Sequence, residues 1–242
     1  MSRLVGVGVG PGDPELITVR AVRVLRDADL VLVPVMSLDE PGRAEVTVRA
    51  HVDHGRIERV AFALDDRDGA SARREAAWDV AADTVVAAYA RGAGTVAFAT
   101  IGDPNVYSTF TYLAQTVRRR MSALRVETVP GITALQDLAA RSGTVLCEGT
   151  ETLALLPATA GVERLRTALR DADTVIAYKG GRRLPEVLAA VAESGRLDLA
   201  VYGANVGLPG EDIRPAADVT GPASYLSTIL VPARRHTRGG KL

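Results

Sequence analysis

The segment Leu4-Val5-Gly6-Val7-Gly8-Val9-Gly10-Pro11-Gly12-Asp13-Pro14-Glu15-Leu16 constrains the fold more than any other stretch of this chain. Val5, Val7 and Val9 are β-branched and alternate with glycine. That pattern suits a buried strand that another backbone or a ligand approaches closely. The strand runs into a glycine-rich turn and passes at once into a helix. Asp13 is placed to accept from the free N–H groups of the first helical turn, and Pro14 at the first helical position loses nothing by lacking an N–H. Strand–loop–helix corners of this kind are where α/β proteins bind ligands. The loop nevertheless fits neither nucleotide fingerprint. Counted from Gly6 or Gly8, the third glycine of a dinucleotide loop falls on Pro11 or Asp13, and no Gly-Lys-Ser/Thr follows for a phosphate loop. Alone, the segment reads equally well as a tight structural corner.

Strand and helix patterns alternate along the rest of the chain. Ile17, Ala21, Val24, Leu25 and Ala28 recur at helical spacing, and Leu30–Val33 reads as a strand stopped by Pro34. Helices are expected at 44–51, 71–90 and 108–120, strands at 57–64 and 95–99, and a solvated turn at 65–70. From about residue 123 the pattern restarts, with strands at 125–129, 151–156, 174–178, 199–203 and 225–231 and helices at 132–140, 162–170 and 184–193. The expected fold is α/β with two domains, each an open sheet flanked by helices, and a ligand cleft between them. Arg118-Arg119-Arg120-Met121-Ser122 reads as the boundary, giving domains 1–121 and 122–242, with a frayed tail at 233–242.

Composition narrows the function. The 242 residues are 47% hydrophobic, enough for a real core, and Lys+Arg equals Asp+Glu at 29 each. A neutral chain makes no bulk electrostatic case for nucleic acid, so an anionic partner has to be met by a local patch. No apolar run is long enough to span a membrane and no signal peptide is visible, which makes the cytoplasm the expected location. The single cysteine, Cys147, excludes an intramolecular disulfide and reads as a small buried hydrophobe. His51, His54 and His236 lack the spacing of a zinc site, and no metal is expected.

Three more strand-end corners carry candidate chemistry. Gly102-Asp103-Pro104-Asn105-Val106-Tyr107-Ser108-Thr109-Phe110 follows the fourth strand. There Gly102 admits a close ligand, and Asp103 either accepts from a ligand or caps the next helix. Pro130-Gly131-Ile132-Thr133-Ala134 is a second corner, in which Thr133 serves as a cap or a contact. Tyr178-Lys179-Gly180-Gly181 is the third, with Lys179 either meeting a carboxylate or reaching into solvent. No nucleophilic constellation is evident.

Taken together and in order, these motifs resemble the tetrapyrrole (corrin and porphyrin) methyltransferase family over nearly the whole chain. The resemblance rests on Gly-x-Gly-Pro-Gly-Asp-Pro, Ala28-Asp29, Gly-Asp-Pro, Pro-Gly-Ile-Thr-Ala, Tyr-Lys-Gly and the last strand. The continuation Tyr107-Ser108-Thr109-Phe110 is similar to the branch that methylates C20 of precorrin-2 in cobalamin biosynthesis. The resemblance implies S-adenosylmethionine (SAM) as methyl donor, S-adenosylhomocysteine as product, a homodimer, and a cofactor held largely by backbone. On matching positions the cofactor residues are Pro11, Ile101, Gly102, Asp103, Val106, Thr133, Ala134, Lys179, Gly203 and Ala204. Gly10, Gly12, Tyr107 and Ser108 then border the tetrapyrrole, and Arg20, Arg23, Arg43 and Arg49 are candidates for its carboxylates. Several relatives carry an Asp soon after the second strand. This chain has Pro34 there, so no general base is assigned. A cobalt-loaded substrate, another tetrapyrrole carbon, ribosomal RNA ribose and a non-catalytic binding module remain as alternatives.

Overall fold

The structure, a computed structural model, describes residues 2–52, 54–63, 71–221, 223–224 and 226–237. The expected turn at 65–70 and the end of the tail fall outside them. Two compact units divide the chain, 1–133 and 134–242.

In the first unit, β1 (Arg3–Gly8), β2 (Leu30–Val35), β3 (Ile57–Ala61), β4 (Thr95–Thr100) and β5 (Arg125–Val129) form one sheet in the order β3-β2-β4-β1-β5. All its pairings are parallel. Helices α1 (Val19–Asp27) and α2 (Arg43–Arg49) pack on one face through Ala21, Leu25, Ala44 and Val48. The longer α3 (Ala72–Ala90) and α4 (Phe110–Arg120) cover the other face, with Val85, Leu113 and Val117 against Leu4, Leu32 and Phe98. The face changes because right-handed crossovers lead the chain outward along the sheet through β1, β2 and β3, then back through β4 and β5. Connections leaving β1 and β4 therefore diverge to opposite faces, which opens a crevice at their carboxyl ends.

Three expectations change here. Residues 122–133 belong to the first unit, because β5 pairs with β1 along Arg3–Val7; the boundary falls after Thr133 rather than at 121. The helix expected directly after the glycine loop starts later. Asp13 caps only a 3-10 turn, Pro14–Leu16, and Thr18 caps α1 by accepting from Ala21 N–H at 3.1 Å. The strand expected at 57–64 pairs only as far as Ala61. Pro34 is accommodated because β2 pairs with β4 only over Leu30–Leu32, so its missing N–H faces no partner strand beyond that point.

The second unit runs through α5 (Ala134–Ser142), β6 (Leu153–Pro157), α6 (Val162–Asp171), β7 (Thr174–Tyr178), α7 (Leu184–Glu193), β8 (Val201–Ala204), β9 (Asp212–Pro215) and β10 (Ser227–Val231), and its strands form a mixed sheet in the order β6-β7-β10-β8-β9. Strand β10 runs antiparallel to both neighbours. Helices α6 and α7 cover one face, and α5 lies on the other through Leu138. Strand β9 carries no strand signal in the sequence. It is a four-residue edge strand, Asp-Ile-Arg-Pro, with no apolar alternation and a proline that an edge tolerates. Cys147 is exposed rather than buried, because it lies between α5 and β6 in a stretch with no helix or strand to cover it.

Arg196 secures the far end of this unit. Its guanidinium donates to the carbonyls of Leu169 (3.2 Å), Ala172 (3.3 Å), Val231 (3.2 Å), Pro232 (2.9 Å) and Asp173. It thus caps α6 and ties the end of β10 to it. Arg196→Met leaves these carbonyls unpaired and is expected to lower unfolding stability by about 2–4 kcal/mol. Urea denaturation measures this, and a loss below about 0.5 kcal/mol refutes the assignment.

Candidate functional site

The carboxyl ends of β1, β4 and β5 meet in the first unit with almost no side chains between them. A Cβ on Gly8 would lie 2.5 Å from the Gly102 carbonyl oxygen and 2.6 Å from the Gly131 nitrogen. A Cβ on Gly131 would lie 2.1 Å from that same Gly102 oxygen and 2.8 Å from Gly8 Cα. Real Cβ atoms do not approach so closely, so packing alone requires glycine at Gly8 and Gly131. Gly6 has a different reason: its missing side chain makes room for the Phe110 ring of α4, 2.5 Å from where a Cβ would be. Gly10 adopts φ +84° and Gly102 φ +68°, the left-handed region that favours glycine.

Hydrogen bonds lock this crossing. Val9 N–H donates to Thr100 O at 3.0 Å and Gly102 N–H to Gly10 O at 2.7 Å, which extends the β1–β4 contact beyond the strands. The Asp103 carboxylate accepts from Asn105 N–H at 2.8 Å through one oxygen and from Gly131 N–H at 3.0 Å through the other. Asp103 is thus a clamp between the loops after β4 and β5. Asn105 Nδ2 adds a second link, donating to Thr128 Oγ1 at 3.2 Å. Thr47 of α2, fully buried, donates to Gly12 O at 3.1 Å and fixes the glycine loop from the other side.

The same geometry explains why the loop fits no phosphate fingerprint. Asp13 already accepts from Glu15 N–H at 2.9 Å, so a carboxylate occupies the helical turn that the loop opens. A phosphate there would meet like charge.

Pro11, Ile101, Gly102, Asp103, Val106 and Thr133 all stand on these three loops. Gly10 and Gly12 lie beside them, the one bonded to Gly102 and the other to Thr47. Ser108 is engaged locally. Its hydroxyl donates to Thr100 Oγ1 at 3.0 Å and accepts from Phe110 N–H at 3.1 Å, which ties the end of β4 to the first residue of α4. Tyr107 is half exposed and holds φ +51°, a left-handed backbone in a bulky residue.

Ala134, Lys179, Gly203 and Ala204 belong to the second unit. Lys179 also holds a left-handed backbone, φ +61°, and donates its N–H to Ser227 O at 2.9 Å. Ser227 is buried, and its hydroxyl accepts from Gly181 N–H at 3.1 Å, so it shapes the Lys179–Gly181 turn. Nothing in the sequence around Ser227 signals this role. Gly203 is a packing position: Leu138 of α5 fills the space of its missing side chain, 2.6 Å from a Cβ. Tyr178 Oη accepts from Leu135 N–H at 2.9 Å and ties the start of α5 to the end of β7.

The candidate arginines separate into two kinds. Arg49 donates its Nε to Glu45 at 2.7 Å, and Arg59 donates to the other Glu45 oxygen at 2.8 Å. Glu45 is fully buried and also accepts from Gly42 N–H at 3.2 Å. Arg49 is therefore part of a structural knot. Arg20, Arg23 and Arg43 are exposed and make no ion pair or hydrogen bond among the described residues. Among those residues no His, Cys, Asp or Glu side chains gather into a metal-binding group, and no helix is long and apolar enough to cross a membrane.

Glu45 makes the knot sensitive to acid. Burial pushes its carboxyl up, but the bonds from Arg59, Arg49 and Gly42 outweigh this and hold it below the ordinary value of 4.5. A carboxyl lowered by folding stabilises the protein above its unfolded pKa, and that stabilisation is lost as pH falls through the folded pKa. Glu45→Gln is expected to remove about 1–3 kcal/mol at neutral pH and to flatten the decline of the thermal midpoint below about pH 4.5. Thermal scans from about pH 3 to 7 test this; an unchanged acid limb refutes it.

Comparison with known proteins places the site in context. The chain is 34% identical over 238 residues to a precorrin-2 C(20)-methyltransferase from Sinorhizobium, with 96% of each chain covered. It is 32% identical over 232 residues to a cobalt-precorrin-2 C(20)-methyltransferase from Salmonella typhimurium, with 95% of each covered. Among solved structures it is similar to uroporphyrin-III C-methyltransferase from Thermus thermophilus in complex with S-adenosylhomocysteine. The TM-score is 0.62 at 22% identity, covering 95% of this chain and 97% of that one, which supports the fold. The family model for tetrapyrrole (corrin/porphyrin) methylases matches residues 3–218, from β1 through the turn after β9. With motifs, fold and near full-length relatives in agreement, the chain belongs to the tetrapyrrole methylase family.

Proposed function

We propose that this chain is a SAM-dependent C-methyltransferase that methylates C20 of precorrin-2 to give precorrin-3A in cobalamin biosynthesis. The similarity to a precorrin-2 C(20)-methyltransferase over 96% of both chains carries the reading. The comparable similarity to a cobalt-precorrin-2 enzyme keeps the cobalt-loaded macrocycle as a second substrate reading. The family resemblance extends the proposal to a homodimer acting in the cytoplasm, with no nucleic-acid or membrane partner.

The residues present suit the cofactor. Gly102, where a Cβ would find only Thr133 Cα at 3.9 Å, leaves an open cradle of main chain in the first unit. Ile101, Gly102 and Val106 offer backbone groups there, and Asp103 holds their loop in register with Gly131. The family resemblance also assigns Ala134, Lys179, Gly203 and Ala204 to the cofactor. When bound, SAM supplies an electrophilic methyl group on its sulfonium. What remains for the chain is positioning, and alignment of a bound pair of reactants accounts for roughly 7–11 kcal/mol of barrier. The meso carbon of the macrocycle is enamine-like and already nucleophilic. Pro34 in place of an acidic residue is therefore compatible with reaction, and the later proton loss goes to substrate nitrogen or water. Arg20, Arg23 and Arg43 make no ion pair among the described residues, which leaves them to meet substrate carboxylates.

Two measurements test the reading. Incubation with SAM and either metal-free or cobalt-loaded substrate, followed by mass and NMR location of the new methyl, is expected to give C20 methylation of the metal-free form. Methylation elsewhere, or none, refutes it. Asp103→Ala frees the Gly131 N–H and loosens the cradle. It is expected to weaken S-adenosylhomocysteine binding about tenfold or more in calorimetry while circular dichroism stays native; unchanged affinity removes the cofactor from this loop.

A further inference from the structure

The glycine loop is held from a side that carries none of its motif. Thr47 stands on α2, and His51 stands four residues later on the turn that continues it, so the two share one face. Thr47 Oγ1 donates to the carbonyl of buried Gly12 at 3.1 Å, and His51 Nε2 lies 3.0 Å from the Pro14 carbonyl. A carbonyl oxygen only accepts, so Nε2 carries the proton and donates. The two bonds bracket Asp13, which closes the following turn by accepting from Glu15 N–H through its carboxylate and from Leu16 N–H through its carbonyl. That turn leans back on the loop: the Leu16 carbonyl oxygen lies 2.9 Å from where a Cβ on Gly10 would stand. Gly10 O in turn accepts from Gly102 N–H, so the loop is gripped from α2 on one side and from the end of β4 on the other.

The brace is rigid at its base. Ala44 and Val48 set α2 in the core, and the Glu45 knot ties it to Arg59 of β3. The His51 carbonyl accepts from Arg26 Nε of α1 at 2.9 Å, and the Arg26 carbonyl accepts from Arg56 Nη1 at 2.6 Å. Apolar packing and Glu45 thus hold α2 on the sheet without help from the Thr47 hydroxyl or the His51 ring. The bonds those two groups make end on carbonyls of a segment beyond the end of β1, so what they order is the loop. A loop ordered before a ligand arrives binds without the entropy cost of ordering it, and the fraction of molecules holding the competent conformation scales the apparent affinity.

We infer that Thr47 and His51 are positioning residues, which hold the glycine loop in its competent conformation for the reaction proposed above. The inference rests on that reading for what the loop meets, and on the geometry alone for the brace. Hydrogen exchange and turnover test it separately, both on the full chain. In exchange followed by mass spectrometry, segment 10–16 of Thr47→Val and of His51→Leu is expected to exchange about fivefold or more faster than in the wild-type chain, with the strands of the first sheet unchanged. In turnover, both variants are expected to raise the KM for the tetrapyrrole about fivefold or more and to keep kcat within about twofold, because substrate has to select a rarer loop conformation. A merely structural role would lower the active fraction, and with it kcat, at constant KM. His51→Gln, which keeps an N–H donor at the position of Nε2, is expected to restore both readouts. Unchanged exchange at 10–16, a fall in kcat at constant KM, or no recovery in His51→Gln overturns the proposal. Failure of the wild-type chain to methylate precorrin-2, metal-free or cobalt-loaded, refutes the reaction reading instead, and exchange then decides the brace by itself.

Discussion

The first unit depends on the place where Gly8, Gly102 and Gly131 cross at distances that leave no room for a Cβ between them. Three strands deliver their loops to one point, and each loop is a glycine where it touches the next. Hydrogen bonds then hold what the contacts permit, from Gly102 to Gly10 and from Gly131 to Asp103. A larger residue at Gly8 or Gly131 would push two loops apart and move Asp103 away from its N–H partners. Motifs separated by tens of residues in sequence are thus parts of one packing requirement. The crossing therefore presents mostly backbone, whose polar groups are fixed by the fold rather than by flexible side chains.

A chain with balanced charge gains little from its overall field, and its arginines act one by one. Arg49 and Arg59 neutralise a fully buried Glu45, Arg235 pairs with Glu151, Arg120 bridges Asp79 and Asp83, and Arg196 caps carbonyls. The planar guanidinium, with donors in a fixed fork, suits these roles better than a lysine ammonium. Arg20, Arg23 and Arg43 stand apart from these roles, with no ion pair or hydrogen bond among the described residues.

Chemistry is legible in the sequence where it is local. Strand β5 at 125–129 and helix α7 at 184–193 fall where apolar periodicity puts them, and Asp13 caps its turn as its position suggests. The strand-end corners are legible as a set, since glycine and proline punctuate each one. What escapes depends on partners distant in sequence. Sequence misplaces the unit boundary because Arg118–Ser122 is polar and turn-like, while the pairing of β5 with β1 leaves no local mark. Strand β9 has no apolar alternation, and the antiparallel course of β10 is invisible to periodicity, which reports the face of a strand and not its direction. Glu45 has the sequence setting of a surface residue on a short helix. Its burial is offset by Arg59, which reaches it from strand β3. Arg49 accordingly looks available in sequence and is not available in the fold.

The left-handed residues extend the same logic to the backbone. Three non-glycine residues among those described hold positive φ: Tyr107 at 51°, Lys179 at 61° and Asn205 at 49°. Each follows the carboxyl end of a strand, after β4, β7 and β8 respectively. Asparagine tolerates this region, and Asn205 steadies it by donating to Gly210 O at 3.4 Å. Tyrosine and lysine are not residue types that settle there, and the conformation costs roughly 1–2 kcal/mol each. Glycine would remove that cost at both positions, as it does at the neighbouring Gly102. The strand ends thus divide by conformation. Glycine stands where another stretch of backbone comes close, as at Gly8 and Gly131, and a side-chain-bearing residue holds the left-handed backbone at Tyr107 and Lys179.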